Sequence, residues 1–285
     1  MIQLSKKIKI VADSTCDISP ELTAKYDIEI HPFVVNLGEN SFKDGVDITT
    51  GDILNYYRET GNVSKTAAAP PSEYEELFRN WPSDEYDVLF FTISSEFSSA
   101  FANASLAAEK FDNIYVVESA NLSTGILLVV LAAADMIESG MGAEEIVEKL
   151  KEIVPKVRAS FVIDTLEFLW KGGRCSGVAA LGANLLRLKP CIEVVDGKMS
   201  VGKKYRGNID KVIPQYIRDR LDSTPHVIRR RVFITHTFEN RAPVEAALKQ
   251  ARDSGMFDEV LETKAGCTVY SHCGPNTLGI LYIEA

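Results

Sequence analysis

Metal-binding and disulfide patterns are scarce in this sequence. Its five cysteines are odd in number and include no C-x-x-C pair, which indicates reduced thiols instead of a disulfide framework or a zinc site. The four histidines include no H-x-x-x-H spacing. We therefore expect neither a bound metal nor a cofactor.

Basic clusters and long apolar runs are also missing. The net charge is −9 and the pI is near 5.1, and residues 229–231 are the one run of adjacent arginines, so nucleic-acid binding is disfavoured. No apolar segment reaches the roughly 18 residues of a membrane span, and the chain opens on a strand pattern instead of a signal peptide. We expect a soluble, cytoplasmic protein.

The sequence has few motifs of catalysis. It contains neither the G-x-S-x-G turn of serine hydrolases nor the glycine-rich phosphate loops G-x-x-x-x-G-K-[ST] and G-x-G-x-x-G. The pair Gly172 and Gly173, with basic neighbours, is typical of a turn that ends a helix. The small number of catalytic motifs favours a protein that binds an amphiphilic ligand over a stand-alone enzyme.

What the sequence does have is a hydroxyl cluster at a strand-to-helix junction, in residues 86–110. An apolar run over residues 88–93 predicts a buried parallel strand, and small apolar residues at helical spacing follow from Ser98. Ser94, Ser95, Ser98 and Ser99 lie at the junction. Because free N–H groups at a helix start attract anions at the carboxyl ends of parallel strands, the pattern predicts a carboxylate or phosphate site as well as a helix cap.

The order of elements predicts two domains. Up to about residue 157, strands and helices alternate as in a doubly wound parallel sheet. Beyond it, helices mix with antiparallel hairpins, among them one with its turn at Asp196 and Gly197. We expect an α/β domain over residues 1–157 and an α+β domain over residues 158–285.

Local sequence patterns predict where individual helices and strands begin and end. Ser19 and Pro20 predict the start of one helix, and Thr49 with Asp52 predicts a capping box at another. Ser72 is the predicted cap of the next helix. The pattern further predicts one strand over residues 28–37, a loop over 60–72, a helix after the Gly-Gly turn, and a polar turn over 271–275.

Seven segments in this order resemble the DegV family of bacterial proteins, which includes the fatty-acid-carrying subunits of fatty acid kinases. They are VADSTCDIS, DGVDIT, KTAAAPPS, ISSEFSSAFANA, LEFLWKGGRCS, LLRLKPCIEVVDGKM and SHCGPNTLGILYIE. The resemblance implies an N-terminal α/β domain, a C-terminal α+β domain and a long-chain fatty acid buried between them. It implies a lipid-binding carrier that presents the acid to a separate kinase for acyl phosphate formation, with transient contact to a membrane surface.

The resemblance also implies roles for individual residues. Thr66 and Ser98 match the positions that bind the fatty acid carboxylate, and His272 matches the histidine of the C-terminal turn. We count Ser95, from the same hydroxyl cluster, with this fatty acid-binding set. Arg174 and Arg206 match basic positions where the family is expected to meet its kinase or the acyl phosphate.

Three segments depart from the family pattern. Alanines follow Thr66 where a serine and a glutamine are usual, Ala100 stands where a threonine is usual, and Asn276 replaces a glycine. These changes leave fewer donors near the carboxylate. Two other functions stay open on the sequence: a serine hydrolase or lipid esterase that uses residues 94–99, and a regulator that acts only through protein contacts.

Overall fold

A four-stranded parallel sheet forms the first part of the structure, a computed structural model that describes residues 6–175, 188–224 and 226–285. Across the sheet the strands are β2 (Ile28–His31), β1 (Lys7–Asp13), β6 (Tyr86–Thr92) and β7 (Ile114–Glu118). In β6, Val88 and Phe90 pack into one core, and Leu89 and Phe91 into another. The predicted strand covered on both faces is confirmed.

Six helices of the described residues accompany this sheet, and the first two begin with the side-chain caps that the sequence predicts. The side chain of Ser19 accepts from Leu22 N–H, and Thr49 with Asp52 forms the predicted capping box. The expected cap at Ser72 is wrong, because the helix begins at Pro71, two residues earlier than that cap implies, and its N-cap Pro70 has no side-chain acceptor. The helices are α1 (Pro20–Lys25), α2 (Thr50–Thr60), α3 (Pro71–Phe78), α4 (Ala100–Ala108), α5 (Thr124–Glu138) and α6 (Ala143–Ile153), with short 3-10 turns at Ser14–Cys16 and Val154–Lys156.

A six-stranded mixed sheet forms the second part. In order it contains β10 (Lys198–Arg206), β9 (Leu188–Val195), β8 (Val157–Val162), β13 (Leu278–Glu284), β11 (Val227–His236) and β12 (Glu259–Lys264). Only the β11–β12 pair is parallel. The helices described with it are α7 (Glu167–Gly172), α8 (Ile209–Asp222), α9 (Arg241–Asp253) and α10 (Cys267–Cys273). The predicted fold class is confirmed, whereas a boundary between residues 157 and 158 stays a prediction.

The hairpin between β9 and β10 has its predicted turn, in which Asp196 and Gly197 both have positive φ, 49° and 76°. The helix predicted after the Gly-Gly turn falls on residues 176–187, outside the described residues.

A small antiparallel sheet contradicts two predictions. It contains β4 (Asn40–Lys43), β3 (Val34–Leu37) and β5 (Lys65–Ala67). The single strand expected over residues 28–37 is interrupted at Pro32, so its second half leaves the parallel sheet and pairs with β4 and β5. The segment expected to be a loop contains β5, in which Thr66 pairs with Val35.

A third correction concerns residues 271–275, where we expected a polar turn. Residues 271–273 are instead the last turn of α10, and the turn follows at Gly274. Gly266 at the helix start offers no side-chain cap. Local sequence therefore gives little sign of this helix.

Helix α5 joins the two large sheets. It contacts β1 and β6 of the first sheet and β8, β11 and β13 of the second. Residues 126–131 are almost completely buried, as the apolar pattern predicted. Within the described ranges no helix has both the length and the apolar character to cross a bilayer.

Candidate functional site

A cavity of about 260 Å³ lies among β5, the loop after β6, α7, α10 and the second sheet. Most of its wall is apolar, with Phe33, Phe97, Leu122, Phe161, Met199 and Leu281 among the lining side chains. Thr66, Ser98, Arg174 and His272 also line it. The cavity therefore joins an apolar wall to hydroxyl, imidazole and guanidinium groups, which suits a ligand with a long apolar part and an anionic end.

Thr66 and His272 meet at this wall although 206 positions separate them in the sequence. Thr66 Oγ1 lies 2.8 Å from His272 Nε2. Burial, with the nearby Arg174 guanidinium, lowers the pKa of His272 to about 4, so the imidazole is neutral at pH 7. Its Nδ1 is buried and has no partner. Because an unpaired buried acceptor costs less than an unpaired buried donor, the proton belongs on Nε2, which donates to Thr66 and leaves the threonine O–H free to donate into the cavity.

Gly172 makes room for this imidazole. A Cβ built on Gly172 would lie 2.4 Å from His272 Nδ1, much closer than real side chains approach. Gly173 ends α7 with φ of 69°, as the helix-stop pattern predicted. The two glycines therefore have different tasks: one provides space for His272, and the other turns the chain toward Arg174.

The four serines after β6 have four different surroundings. Ser94 is buried and donates to the Gly197 carbonyl at 2.8 Å. Ser95 is exposed and is not among the cavity-lining residues, and its backbone N–H donates to Glu118 Oε1 at 3.1 Å. Ser98 lines the cavity and accepts from Ala100 N–H at 3.2 Å. Ser99 also reaches the cavity, and α4 starts after it.

Of the two arginines singled out in the sequence, Arg174 lines the cavity and Arg206 does not. Arg174 lies at the cavity and donates to the carbonyls of Gly172 and Phe97 at 2.6 and 3.5 Å. No carboxylate of the described residues pairs with it, so its charge is available to an anion. Arg206 is exposed at the end of β10 and does not line the cavity.

Comparisons with known proteins agree with this architecture. A protein-family model described as "Uncharacterised protein, DegV family" matches residues 7–285. The chain belongs to the DegV family. The predicted family membership is thus confirmed over nearly the whole chain.

Characterised DegV relatives bind fatty acids. A fatty acid-binding protein of Thermotoga maritima is 31% identical over 281 residues, 96% of each chain. The solved structure of a fatty-acid-binding DegV protein from Thermus thermophilus has a TM-score of 0.90 at 27% identity, over 98% of this chain and 100% of its own. A stearic acid-binding protein from Eubacterium ventriosum has a TM-score of 0.81 at 27% identity, over 97% and 98%.

Sequence reasoning missed two features of this DegV site. Gly172 was assigned only to the turn, because its close approach to His272 depends on how α7 packs against α10. The carboxylates of Asp17 and Asp44 bind the start of α10, although both precede it by more than 200 positions. Among the described residues no cluster of three or more His, Cys, Asp or Glu side chains is arranged to hold a metal ion.

Proposed function

We propose that this DegV protein binds a long-chain fatty acid, with the carboxylate at Thr66, Ser98 and Arg174 and with His272 orienting Thr66. One observation carries the proposal: the cavity combines an apolar wall with a cationic side chain that no described carboxylate neutralises. With His272 protonated on Nε2, the Thr66 O–H can donate into the cavity, and Ser98 accepts from Ala100 N–H, so its own hydrogen is free for the ligand. The fatty acids named for the relatives support the same ligand class.

The binding energy divides between the two ends of the ligand. Each buried methylene contributes roughly 0.8 kcal/mol, so the chain of hexadecanoate contributes on the order of 10 kcal/mol before the costs of association. A hydrogen bond from a hydroxyl to a carboxylate contributes about 1.5–3 kcal/mol. The acyl chain thus supplies most of the affinity, and the polar residues fix which end lies at Thr66.

Mass spectrometry of the purified protein under denaturing conditions tests this proposal. We expect it to release a saturated or monounsaturated fatty acid, and we expect delipidated protein to take up labelled hexadecanoate. The double variant Thr66→Val, Ser98→Ala should take up much less, and Ser95→Ala, outside the cavity, serves as the control. Protein that is lipid-free and takes up no labelled acid would show that the proposal is wrong.

The geometry gives less support to the hypothesis of a serine hydrolase that uses residues 94–99. Two imidazoles lie beside the cavity: His272 bonds to Thr66, and His236 bonds to Glu262 and accepts from Phe238 N–H. In the described part of the chain no serine of residues 94–99 bonds to a histidine. A serine-directed fluorophosphonate that labels Ser98 would reverse this preference. A purely regulatory protein would need no cavity, and the open volume of about 260 Å³ favours a ligand.

We infer that the bound acid is presented to a separate kinase that phosphorylates its carboxylate. The protein itself would then be a carrier and not a stand-alone enzyme. Arg174 supports this role, because it is exposed on one side and lines the cavity on the other, and a guanidinium binds phosphate oxygens in pairs. Arg206 is exposed and does not line the cavity, so it would contact the partner protein only. Cytoplasmic location and transient membrane contact stay predictions.

Co-purification with a candidate kinase tests the inference. Arg174→Ala should reduce acyl phosphate formation, and Arg206→Ala should reduce capture of the kinase while the affinity for the fatty acid stays unchanged. If both variants capture the kinase and support phosphorylation as well as the parent does, the two arginines have no part in presentation.

A further inference from the structure

The backbone N–H groups at the start of helix α10 donate to carboxyl groups from the N-terminal part of the chain. Asp44, 4% exposed, accepts from Cys267 N–H through Oδ1 at 2.9 Å and from Thr268 N–H through Oδ2 at 3.0 Å. Asp17 Oδ1 accepts from Gly266 N–H at 2.7 Å. Three successive N–H groups at the helix start are therefore paired with side chains that precede them by 223 to 249 positions.

The sequence of α10 explains why it needs these acceptors. The first N–H groups of a helix have no partner within the helix, and a Ser, Thr, Asp or Asn at the N-cap usually supplies one. Gly266 is the N-cap here and supplies none. Asp44, which is distant in the sequence, therefore supplies the hydrogen-bond acceptors that an N-cap side chain would normally provide.

The other end of α10 faces the proposed carboxylate site. Ser271 and Ser64 bond through their hydroxyls at 2.7 Å, and His272 Nε2 lies 2.8 Å from Thr66 Oγ1. The helix is only seven residues long, so a shift at its first turn moves the imidazole by a similar distance. A hydrogen bond of 2.8 Å does not tolerate a shift of an ångström.

We propose that Asp44 is a positioning residue for the fatty acid site: it fixes the start of α10 and thereby holds His272 Nε2 against Thr66. This inference rests on the proposed function. Asp44 is not among the residues that line the cavity, so it acts through α10 and not by touching the ligand. Ser14 Oγ donates to Asp44 Oδ2 at 2.9 Å and orients the carboxylate from the first sheet.

Asp44→Asn tests this role with almost no change in shape. The amide nitrogen would face a backbone N–H where an oxygen now accepts, so one helix N–H loses its partner. We expect the Kd for hexadecanoate to rise by about tenfold, because His272 no longer orients Thr66. Asp47→Asn is the matched control, since Asp47 lies three residues away, is exposed and accepts from Lys43 N–H, which an asparagine oxygen also does.

A double-mutant cycle separates positioning from general stability. In a His272→Ala background, Asp44→Asn should change the Kd by less than about twofold, because the group it positions is already gone. An equal factor in both backgrounds would show that Asp44 only stabilises the fold, and an unchanged Kd in the single variant would also overturn the proposal.

The ¹⁵N chemical shifts of the His272 imidazole give a readout that needs no lipid. In the lipid-free protein, Asp44→Asn should move the Nε2 signal toward that of an imidazole in water, and Asp47→Asn should leave it in place. If the parent binds no fatty acid, the proposed function fails while this measurement still decides the role of Asp44.

Should Asp44→Asn fail to fold, Ser14→Ala offers a milder perturbation of the same carboxylate. It should shift the Nε2 signal by a smaller amount in the same direction, and no shift would overturn the proposal.

Discussion

The loops after β1 and β6 leave the same edge of the parallel sheet, because the two strands are adjacent and parallel. Both are rich in polar residues, but they differ in the burial of their carboxyl groups. Asp13 ends β1 and Asp17 follows it, whereas the loop after β6 has four serines and one exposed carboxylate, Glu96. Asp13 and Asp17 are buried and bond to backbone N–H groups, whereas Ser98 lies at the cavity.

The difference shows what a polar loop at a strand end can do. A buried carboxylate accepts several hydrogen bonds, so it joins parts of the fold: Asp13 Oδ2 accepts from Ile93 N–H at the end of β6, at 2.8 Å. A carboxylate would repel an anionic ligand, and a hydroxyl can donate to one. The loop with the buried carboxyl groups therefore supports the site, and the serine loop forms part of it.

The largest expected effect concerns the ligand. If the serine loop only orients a fatty acid that the apolar wall binds, decanoate, which is six carbons shorter than hexadecanoate, should bind more weakly by roughly 5 kcal/mol. Titration of delipidated protein with acids of decreasing length measures this loss. A loss of less than about 1 kcal/mol would mean that the polar residues, and not the apolar wall, dominate binding.

Ser98→Ala should cost less than the shortened ligand. It removes one hydrogen bond to the carboxylate, worth about 1.5–3 kcal/mol, so the Kd for hexadecanoate should rise about tenfold to a hundredfold. The same titration measures it, with Ser95→Ala as control. If Ser98→Ala loses more affinity than the removal of six carbons from the ligand does, the serine loop does more than orient a fatty acid that the apolar wall binds.

These expectations also show how far sequence alone reaches. The buried strand β6, the capping box at Thr49 and the turn at Gly197 were predicted because their signals are local. Strand β5 and helix α10 were missed because distant residues stabilise them, through pairing with β3 and through Asp44. A pattern read within a short window carries no sign of such partners.

The site itself divides in the same way. Local patterning placed hydroxyls after β6, but it did not distinguish Ser98 at the cavity from the exposed Ser95. Thr66 and His272 were found through the family resemblance, and their contact depends on α10 packing against β5. The space that Gly172 leaves for His272 also depends on packing between distant segments.

The loop after β1 predicts a pH dependence of stability. Burial raises the pKa of Asp17 from 3.8 to about 8. The folded protein then holds this proton more tightly than the unfolded chain, so the contribution of Asp17 to stability is complete below pH 3.8 and is lost as the pH rises toward 8. Between about pH 6 and pH 8 the loss should be about 2 kcal/mol.

Urea unfolding at these two pH values, in the parent and in Asp17→Asn, measures the loss. Asparagine keeps the oxygen that accepts from Gly266 N–H and an N–H that can donate to Ser123 Oγ, but it does not ionise. The free energy of unfolding should therefore fall by about 2 kcal/mol less in the variant than in the parent. An identical pH dependence in both proteins would show that Asp17 is ionised throughout.

The smallest effect is expected within the serine loop. Ser94, 1% exposed, donates to the Gly197 carbonyl at the tip of the β9–β10 hairpin, and Met199 of the same hairpin lines the cavity. Ser94→Ala should lower the free energy of unfolding by about 1 kcal/mol, the usual worth of one buried hydrogen bond, whereas Ser95→Ala should stay within about 0.5 kcal/mol of the parent. Because the hairpin tip is then held less firmly over the cavity, a fluorescent fatty acid should dissociate faster from Ser94→Ala at nearly unchanged affinity. Stopped-flow displacement with excess hexadecanoate measures that rate, and equal rates in both serine variants would mean that Ser94 stabilises the loop without restraining the ligand.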